Sequence, residues 1–321
     1  MHGHHARALD RASVPMRLWR KAKLYGWNPD EVDFGRDRED WLALEPHRRE
    51  RLLQLCALFH AAEESVTTHL VPLLRVVAAE GRREEEIYLT SFLSDEAKHI
   101  DVFDRFFAEV AGSPGELPRY LHPSYRRIVD EELPAALRRL DTDASPEAQV
   151  RASVTYHLMV EGVMGETGFL LFDRILGREG IMPGMREVVR LIRRDESRHI
   201  GYGVYLVSRL VAEHGDRAYR AFLARMGELK PLVEDSAQQY AALLEGPGSF
   251  EVDLDELTRH SQERTAGRLQ RIVRARTQSP QELGASLAAD EDEPAARATA
   301  RAGADARPAA AARGRTPPGR R

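Results

Sequence analysis

The sequence predicts an all-α protein built on a four-helix bundle, on three observations. The first is a repeated Glu-x-x-His: Asp95-Glu96-Ala97-Lys98-His99-Ile100 returns one hundred residues later as Asp195-Glu196-Ser197-Arg198-His199-Ile200. The second is helical periodicity around each copy. Leu89, Phe92, Glu96, His99, Phe103, Phe106 and Val110 share one helix face, and Val189, Ile192, Glu196, His199, Gly203, Leu206 and Leu210 share another. The third is that each copy has a partner stripe with a lone inward acid. Glu63 lies among Leu52, Cys56, Phe59, Val66, Leu70, Leu73 and Val77, and Glu161 among Val154, Leu158, Gly165, Gly168 and Phe172.

Residues three apart on a helix are surface neighbours, so each Glu-x-x-His aims a carboxylate and an imidazole at one point. A buried carboxylate is costly unless it is paired or binds metal. Glu63 precedes Glu96 by 33 residues and Glu161 precedes Glu196 by 35. With Gly81 and Gly180 as hairpin apices, all six groups fall at one depth, about 27 Å from the apices at ~1.5 Å per residue. Four carboxylates and two imidazoles converging in a bundle core are the ligand set of ferritin-like dinuclear carboxylate proteins. The fold expected is therefore a ferritin-like four-helix bundle with a long crossover and additional flanking helices. Glu63, Glu96, His99, Glu161, Glu196 and His199 are its candidate metal ligands, and buried ion pairs are the alternative.

The elements follow in order. Residues 11–25 form a short basic amphipathic helix, ended by Gly26-Trp27-Asn28-Pro29-Asp30. Trp27 and Trp41 bracket an acidic connector, residues 30–40, and pack this arm onto the bundle. The first long helix runs over about 46–80, interrupted by Pro72, and the second over 84–111. Residues 112–145 carry Pro114, Pro118, Pro123 and Pro134 and form the crossover, with a helix near 125–140. Ser145-Pro146-Glu147 starts the third helix, serine as cap and proline at the first helical position, which runs to about Gly177. The fourth spans about 185–214, and further helices span about 215–245 and 251–276. The domain plan is an arm over 1–44, a metal-binding helical domain over 45–278 and a disordered Ala/Arg/Pro-rich tail over 279–321.

Composition narrows the classes. A formal net charge of −4 gives no electrostatic reason to expect nucleic acid, and the basic stretch 307–321 reads as solvated tail. Cys56 is the one cysteine, so a disulfide within the chain is impossible and a reducing, cytoplasmic setting is expected. No signal peptide and no transmembrane run of about 18 apolar residues is present. His2, His4 and His5 read as a flexible tip.

Three other features bear on the site. Glu166 lies on the apolar face of Met159, Val163 and Leu170 and competes with Glu161 as the buried acid, but its distance of 30 residues to Glu196 breaks the symmetry of the repeat. Asp95 and Asp195 are candidates to orient the imidazole of the opposite pair. Gly162, Gly165 and Gly168 remove side-chain volume along one helix, either to make room for a ligand or to let helices pack closely. A carboxylate-rich site with one imidazole per metal suits iron and manganese, and open positions on them suit dioxygen. The classes in play are an oxidase, a radical-generating reductase subunit and a ferritin-like metal store. The store is disfavoured by the 34-residue crossover and the extra C-terminal helices.

Several stretches carry a family resemblance: Tyr25-Gly26-Trp27-Asn28-Pro29 with Asp33-Phe34, Asp37-Arg38-Glu39-Asp40-Trp41, Glu63-Glu64-Ser65-Val66-Thr67, Ser153-Val154-Thr155-Tyr156 before Glu161-Gly162, and Arg194-Asp195-Glu196-Ser197-Arg198-His199-Ile200. Over roughly residues 20–245 the chain resembles the ligand-binding oxidases related to the ribonucleotide reductase small subunit. The resemblance implies a mixed manganese/iron cofactor, with di-iron as the variant, Glu63, Glu96 and His99 on one metal and Glu161, Glu196 and His199 on the other. It also implies dioxygen as oxidant and a long-chain fatty acid in an apolar channel with its carboxylate on the metals. An ether between a tyrosine oxygen and a valine β-carbon is implied too, and Tyr156 and Val66 are the matching residues here. Spacing alone does not lead to this pair, since Tyr156 stands about 140° from Glu161 on an α-helix. A homodimer is the expected assembly. The alternative is the small subunit of a manganese/iron ribonucleotide reductase. Such subunits usually carry a tyrosine four residues after the first histidine ligand and another in the C-terminal tail, whereas this chain has Phe103 and no tyrosine after Tyr240.

Overall fold

The computed structural model describes residues 8–112, 117–244, 250–279 and 282–283. His2, His4 and His5 and nearly all of the tail after Ser279 lie outside the described residues. Every regular element among the described residues is helical. Helix α1 (Val14–Leu24) begins with a proline in its first turn and buries Val14, Met16, Leu18 and Ala22 against the bundle.

Residues 30–40 are more than a connector. Asn28 caps a single 3₁₀ turn at Pro29–Glu31, and helix α2 (Gly35–Ala43) follows. Two acids of α2 are buried because they serve another helix. Asp37 accepts from the Gly184 and Met185 backbone N–H groups at 2.8 and 2.6 Å, and Asp40 accepts from Met182 N–H at 2.8 Å. These are the unpaired N–H groups that begin the fourth bundle helix, α10 (Pro183–His214), where carboxylates also oppose the positive end of the helix dipole. Part of the acidic connector is thus the cap of another helix.

The bundle is formed by two helical hairpins. Helix α3 (Pro46–His69) carries Glu63; the chain breaks at Leu70, two residues before Pro72, and resumes as α4 (Val71–Ala79). Gly81 turns the chain with φ 71°, a left-handed conformation that glycine adopts freely. Helix α5 (Arg83–Phe106) runs back and loosens into a π-helical end, Phe107–Ala111. The crossover contains a 3₁₀ turn at Leu117–Tyr120, then α6 (Pro123–Arg126), a π stretch and α7 (Leu133–Arg139).

The second hairpin opens with α8 (Pro146–Ser153), where Ser145 Oγ accepts from Ala148 N–H at 3.3 Å. The helix continues as twelve π-helical residues, Val154–Gly165, and then α9 (Glu166–Glu179). Gly180, φ 68°, is the second apex, and α10 (Pro183–His214) returns. Helices α11 (Asp216–Leu243) and α12 (Leu254–Ala275) flank the bundle, α12 capped by Asp253 accepting from Glu256 N–H at 2.9 Å.

The core is split in two. One apolar cluster holds Val66, Leu70, Leu89, Phe92, Val154, Leu158, Val204 and Leu206; the other holds Cys56, Phe59, Val102, Phe103, Phe169, Phe172, Val189 and Ile192. On each of the four bundle helices the chain passes from one cluster to the other across the predicted acids and histidines. Those groups therefore form one polar layer between the two apolar clusters.

Candidate metal centre

The six predicted ligands come together. Ligand atoms of Glu63, Glu96, His99 and Glu196 lie within 4.8 Å of one another, as do those of Glu96, Glu161, Glu196 and His199. All six residues are buried. Glu96 and Glu196 belong to both groups, so the two clusters share two carboxylates and each has one carboxylate and one imidazole of its own. His99 Nδ1 stands 3.2 Å from Glu63 and 3.5 Å from Glu196, and His199 Nδ1 stands 2.9 Å from Glu96 and 3.6 Å from both Glu161 and Glu196. Both histidines thus present Nδ1 to the acids and turn Nε2 outward.

The outward nitrogens meet the two aspartates crosswise. Asp195, beside the second pair, faces His99 Nε2 at 3.5 Å, and Asp95, beside the first, faces His199 Nε2 at 3.4 Å. Arg198 donates to both aspartates at 2.8 and 2.7 Å, Lys98 pairs with Asp95 at 2.7 Å, and Trp27 Nε1 donates to Asp195 at 2.7 Å. Burial opposes ionisation of Asp195, but His99, Arg198 and Lys98 outweigh it and hold its carboxyl well below the usual range. A carboxylate fixed in this way orients the imidazole and raises its basicity toward whatever Nδ1 binds.

The donor set fits a pair of hard or borderline cations. Glu96 Oε2, Glu196 Oε2 and both oxygens of Glu161 are buried without a hydrogen-bond partner, a costly arrangement for carboxylates unless a cation completes it. The protein's own cations compensate only part of this layer: His199 and His99 hold Glu96 well below its ordinary value, but burial pushes Glu63 up to about 8 and Glu161 well above its ordinary value, with Glu196 adding repulsion at Glu161. Oxygen-rich ligands with one imidazole per metal suit iron and manganese.

Comparison with known proteins agrees with this geometry. The family model described as ribonucleotide reductase, small chain, matches residues 14–234. This chain belongs to that family. Among solved structures it is similar to an R2-like ligand-binding oxidase with aerobically reconstituted Mn/Fe cofactor, at 33% identity and TM-score 0.78, covering 83% of this chain and 96% of the other. A valine-to-leucine variant of an R2-like ligand-binding oxidase, also with Mn/Fe, matches at 34% identity and TM-score 0.77, covering 81% and 93% of the two chains. A tyrosine-to-phenylalanine variant with Mn/Fe matches at 33% and 0.76, covering 83% and 97%. The chain is accordingly an oxidoreductase of the small-chain family, and it has the buried carboxylate/histidine cluster in which a dinuclear metal site can form.

Within this small-chain protein, Tyr156 is fully buried and its phenol donates to Glu96 Oε1 at 3.1 Å. The α-helical offset of about 140° from Glu161 does not apply, because Val154–Gly165 is wound with i→i+5 bonds and residues five apart stand nearly above one another. Val66 is buried in the same apolar cluster as Tyr156. Glu166 belongs to neither cluster and is paired with Arg264 at 3.0 Å and with Arg268. Two of the three glycines of this helix are closed by neighbouring side chains: a Cβ at Gly162 would meet Arg268 and the His157 carbonyl, and one at Gly168 the Phe59 ring at 3.0 Å, whereas one at Gly165 would meet only the Val160 carbonyl of its own helix. Close packing explains Gly162 and Gly168.

Sequence reasoning missed Trp27 as a donor to Asp195, and it missed His157. His157 packs against Gly203, takes a 3.0 Å contact from Ser153 Oγ at Nδ1, and is pushed down to about 3 by burial, so it is neutral. A histidine immediately after the tyrosine was the available signal.

Proposed function

We propose that this chain is a dioxygen-activating oxidase with a manganese/iron cofactor, Glu63, Glu96 and His99 holding one metal and Glu161, Glu196 and His199 the other, with Glu96 and Glu196 shared between them. The observation that carries the reading is the pair of overlapping four-residue clusters, set in the fold of oxidases that carry Mn/Fe. Glu161, with two unpartnered oxygens, is the carboxylate freest to move as a ligand arrives. Asp95, Asp195, Arg198 and Lys98 fix the imidazoles, and the two apolar clusters keep water from the layer between them.

When bound, the metals supply the oxidising power, passing electrons from substrate to dioxygen. The internal substrate we propose is the protein itself. The Tyr156 O–H and the Val66 Cβ–H break, an ether bond forms between Oη and Cβ, and two electrons and two protons go to dioxygen. Burial and the surrounding carboxylates hold the Tyr156 phenol well above its ordinary value, so it stays protonated until oxidation, and Glu96 Oε1 stands where its proton leaves. An external long-chain fatty acid, carboxylate toward the metals, completes the proposal, together with a homodimeric, cytoplasmic protein. The word ligand-binding in the names of the similar oxidases supports the bound molecule. Among the described residues no helix is long and apolar enough to cross a membrane.

The second reading, a manganese/iron reductase small subunit, is favoured by the family model itself. One experiment separates the two: load the protein with manganese and iron in air, then measure metal content and intact mass. The oxidase reading expects both metals and the loss of two hydrogens; an unchanged mass with both metals bound favours the reductase.

A further inference from the structure

A cavity of about 310 Å³ opens beside Glu196, between α9, α10 and α12. Phe169 and Ile200 give it an apolar lining, but four guanidiniums, of Arg190, Arg193, Arg194 and Arg264, also line it, against the two carboxylates of Glu166 and Glu196. Glu166 is already taken by Arg264 and Arg268. Arg190 pairs with Glu187, which does not line the cavity, and Arg193 reaches Asp173 only at 4.0 Å. Arg194 bonds the Tyr25 carbonyl, has a buried Nε without a hydrogen-bond partner, and acts on the Glu187 carboxylate only through its charge, behind Arg190. Positive charge therefore exceeds negative here, and the excess grows once Glu196 is engaged by metal.

The cavity is graded in depth. The Arg190 and Arg264 side chains are 58% and 51% exposed, whereas Glu196 is 4% exposed. Arg190 and Glu196 are six residues apart on α10, about 9 Å along its axis. A molecule whose acid group reaches the metals through this cavity passes its other end among the arginines. A plain alkyl tail there would desolvate guanidiniums and return no hydrogen bonds. A carboxylate or other oxyanion would receive charge-assisted, bidentate ones.

We infer that this cavity takes the far end of the bound acid and that this end is itself anionic, so the ligand class is an apolar chain with an acid at each end. The inference rests on the proposed binding of an organic acid at the metals and names that acid's class.

The test is calorimetric titration of the metal-loaded full chain with decanoate, 10-hydroxydecanoate and decanedioate, at low and high salt. The expected result is at least tenfold tighter binding of decanedioate than of either mono-acid, an advantage that shrinks in salt and is lost in the Arg190→Gln/Arg193→Gln variant. Both substitutions fall on partly exposed side chains of α10, and the comparison of the three acids on wild type stands without them. Equal binding of diacid and mono-acid overturns the inference and leaves the bound-acid reading standing. A diacid preference that survives both salt and the double substitution overturns it too, by placing the second acid elsewhere. Failure of all three acids to bind protein that carries two metals overturns the bound-acid reading and the inference with it.

Discussion

The two halves of the metal centre are repeats of one plan, and they differ in the winding of one helix. In the first half α3 passes Glu63 as a regular α-helix, and Glu63 meets His99 at 3.2 Å. In the second half the helix bearing Glu161 is π-wound for twelve residues, Val154–Gly165, and its first nine are all buried. The π-helix is rare, and its usual single turns are frequent at functional sites. Here the winding carries the Tyr156 phenol to Glu96 and leaves both oxygens of Glu161 without partners. Repetition thus places the candidate ligands, and the departure from repetition places a phenol and an unpartnered carboxylate beside them.

The sharpest way to break the comparison is to remove ligands from one half. Glu196→Ala or His199→Ala should cost at least one of two metal equivalents by elemental analysis, whereas Glu166→Gln, whose side chain pairs with Arg264 and Arg268, should keep both. Two full equivalents on His199→Ala would sink the ligand assignment. The next effect is the one attributed to the π-wound half. Air-exposed, metal-loaded protein should yield a single linked species joining the peptide of Val66 to that of Tyr156, lighter by two hydrogens and absent from metal-free protein and from Tyr156→Phe. Two separate, unmodified peptides would reopen the reductase reading.

Much of this was legible in the sequence, for a physical reason. Inward polar residues are so costly that four acids and two histidines in apolar stripes leave few alternatives to a shared cation. Equal loop-to-ligand spacing placed them at one depth, and the split core agrees. What was illegible was non-local or non-α. Asp37 and Asp40 show only as acids of a connector until the start of α10 is placed against them. Trp27 reads as packing until its indole meets Asp195, 168 residues away. The position of Tyr156 could not follow from a 3.6-residue period, because its stretch of helix does not have one. The glycines left two readings open in the sequence, and the missing side chains of Gly162 and Gly168 accommodate Arg268 and Phe59.

The layer around the histidines offers a finer contrast. Asp195 is fully buried and engages His99, Arg198, Lys98 and Trp27, whereas Asp95, 5% exposed, engages His199, Arg198 and Lys98 without an indole. Partners of metal-bound histidines typically matter by roughly 10–100-fold in affinity. Asp195→Asn should therefore weaken one metal by about that factor, and Asp95→Asn should weaken the other by less. Competition against a chelator, read by the metal retained, measures both. Equal losses would show that the indole adds nothing and that the two halves are matched outside the ligands.

The smallest effect is a dependence of stability on pH that metal should reverse. In the metal-free fold, burial raises Glu63 from its ordinary value to about 8 and raises Glu161 and Glu196 in the same direction. His99 and His199 are also raised, because the facing carboxylates outweigh burial. For all five the folded chain holds protons that the unfolded chain has released, so metal-free stability falls as pH rises, from about 4.5 up to about 8 for Glu63 and above 6.5 for the histidines. Asp95, Asp195 and Glu96 are lowered instead, and their contribution is already complete above the ordinary carboxylate range. Metals bind the deprotonated acids and neutral imidazoles, so loading releases the same protons and gains from rising pH. Protein loaded without air, so that no cross-link contributes, should melt above chelator-treated protein by a margin that widens by several degrees from pH 6 to pH 8, at roughly 2–4 °C per kcal/mol for chains of this size. A margin that narrows over that interval would mean that the carboxylates are not competing with protons for the metals, and would count against both halves of the site at once.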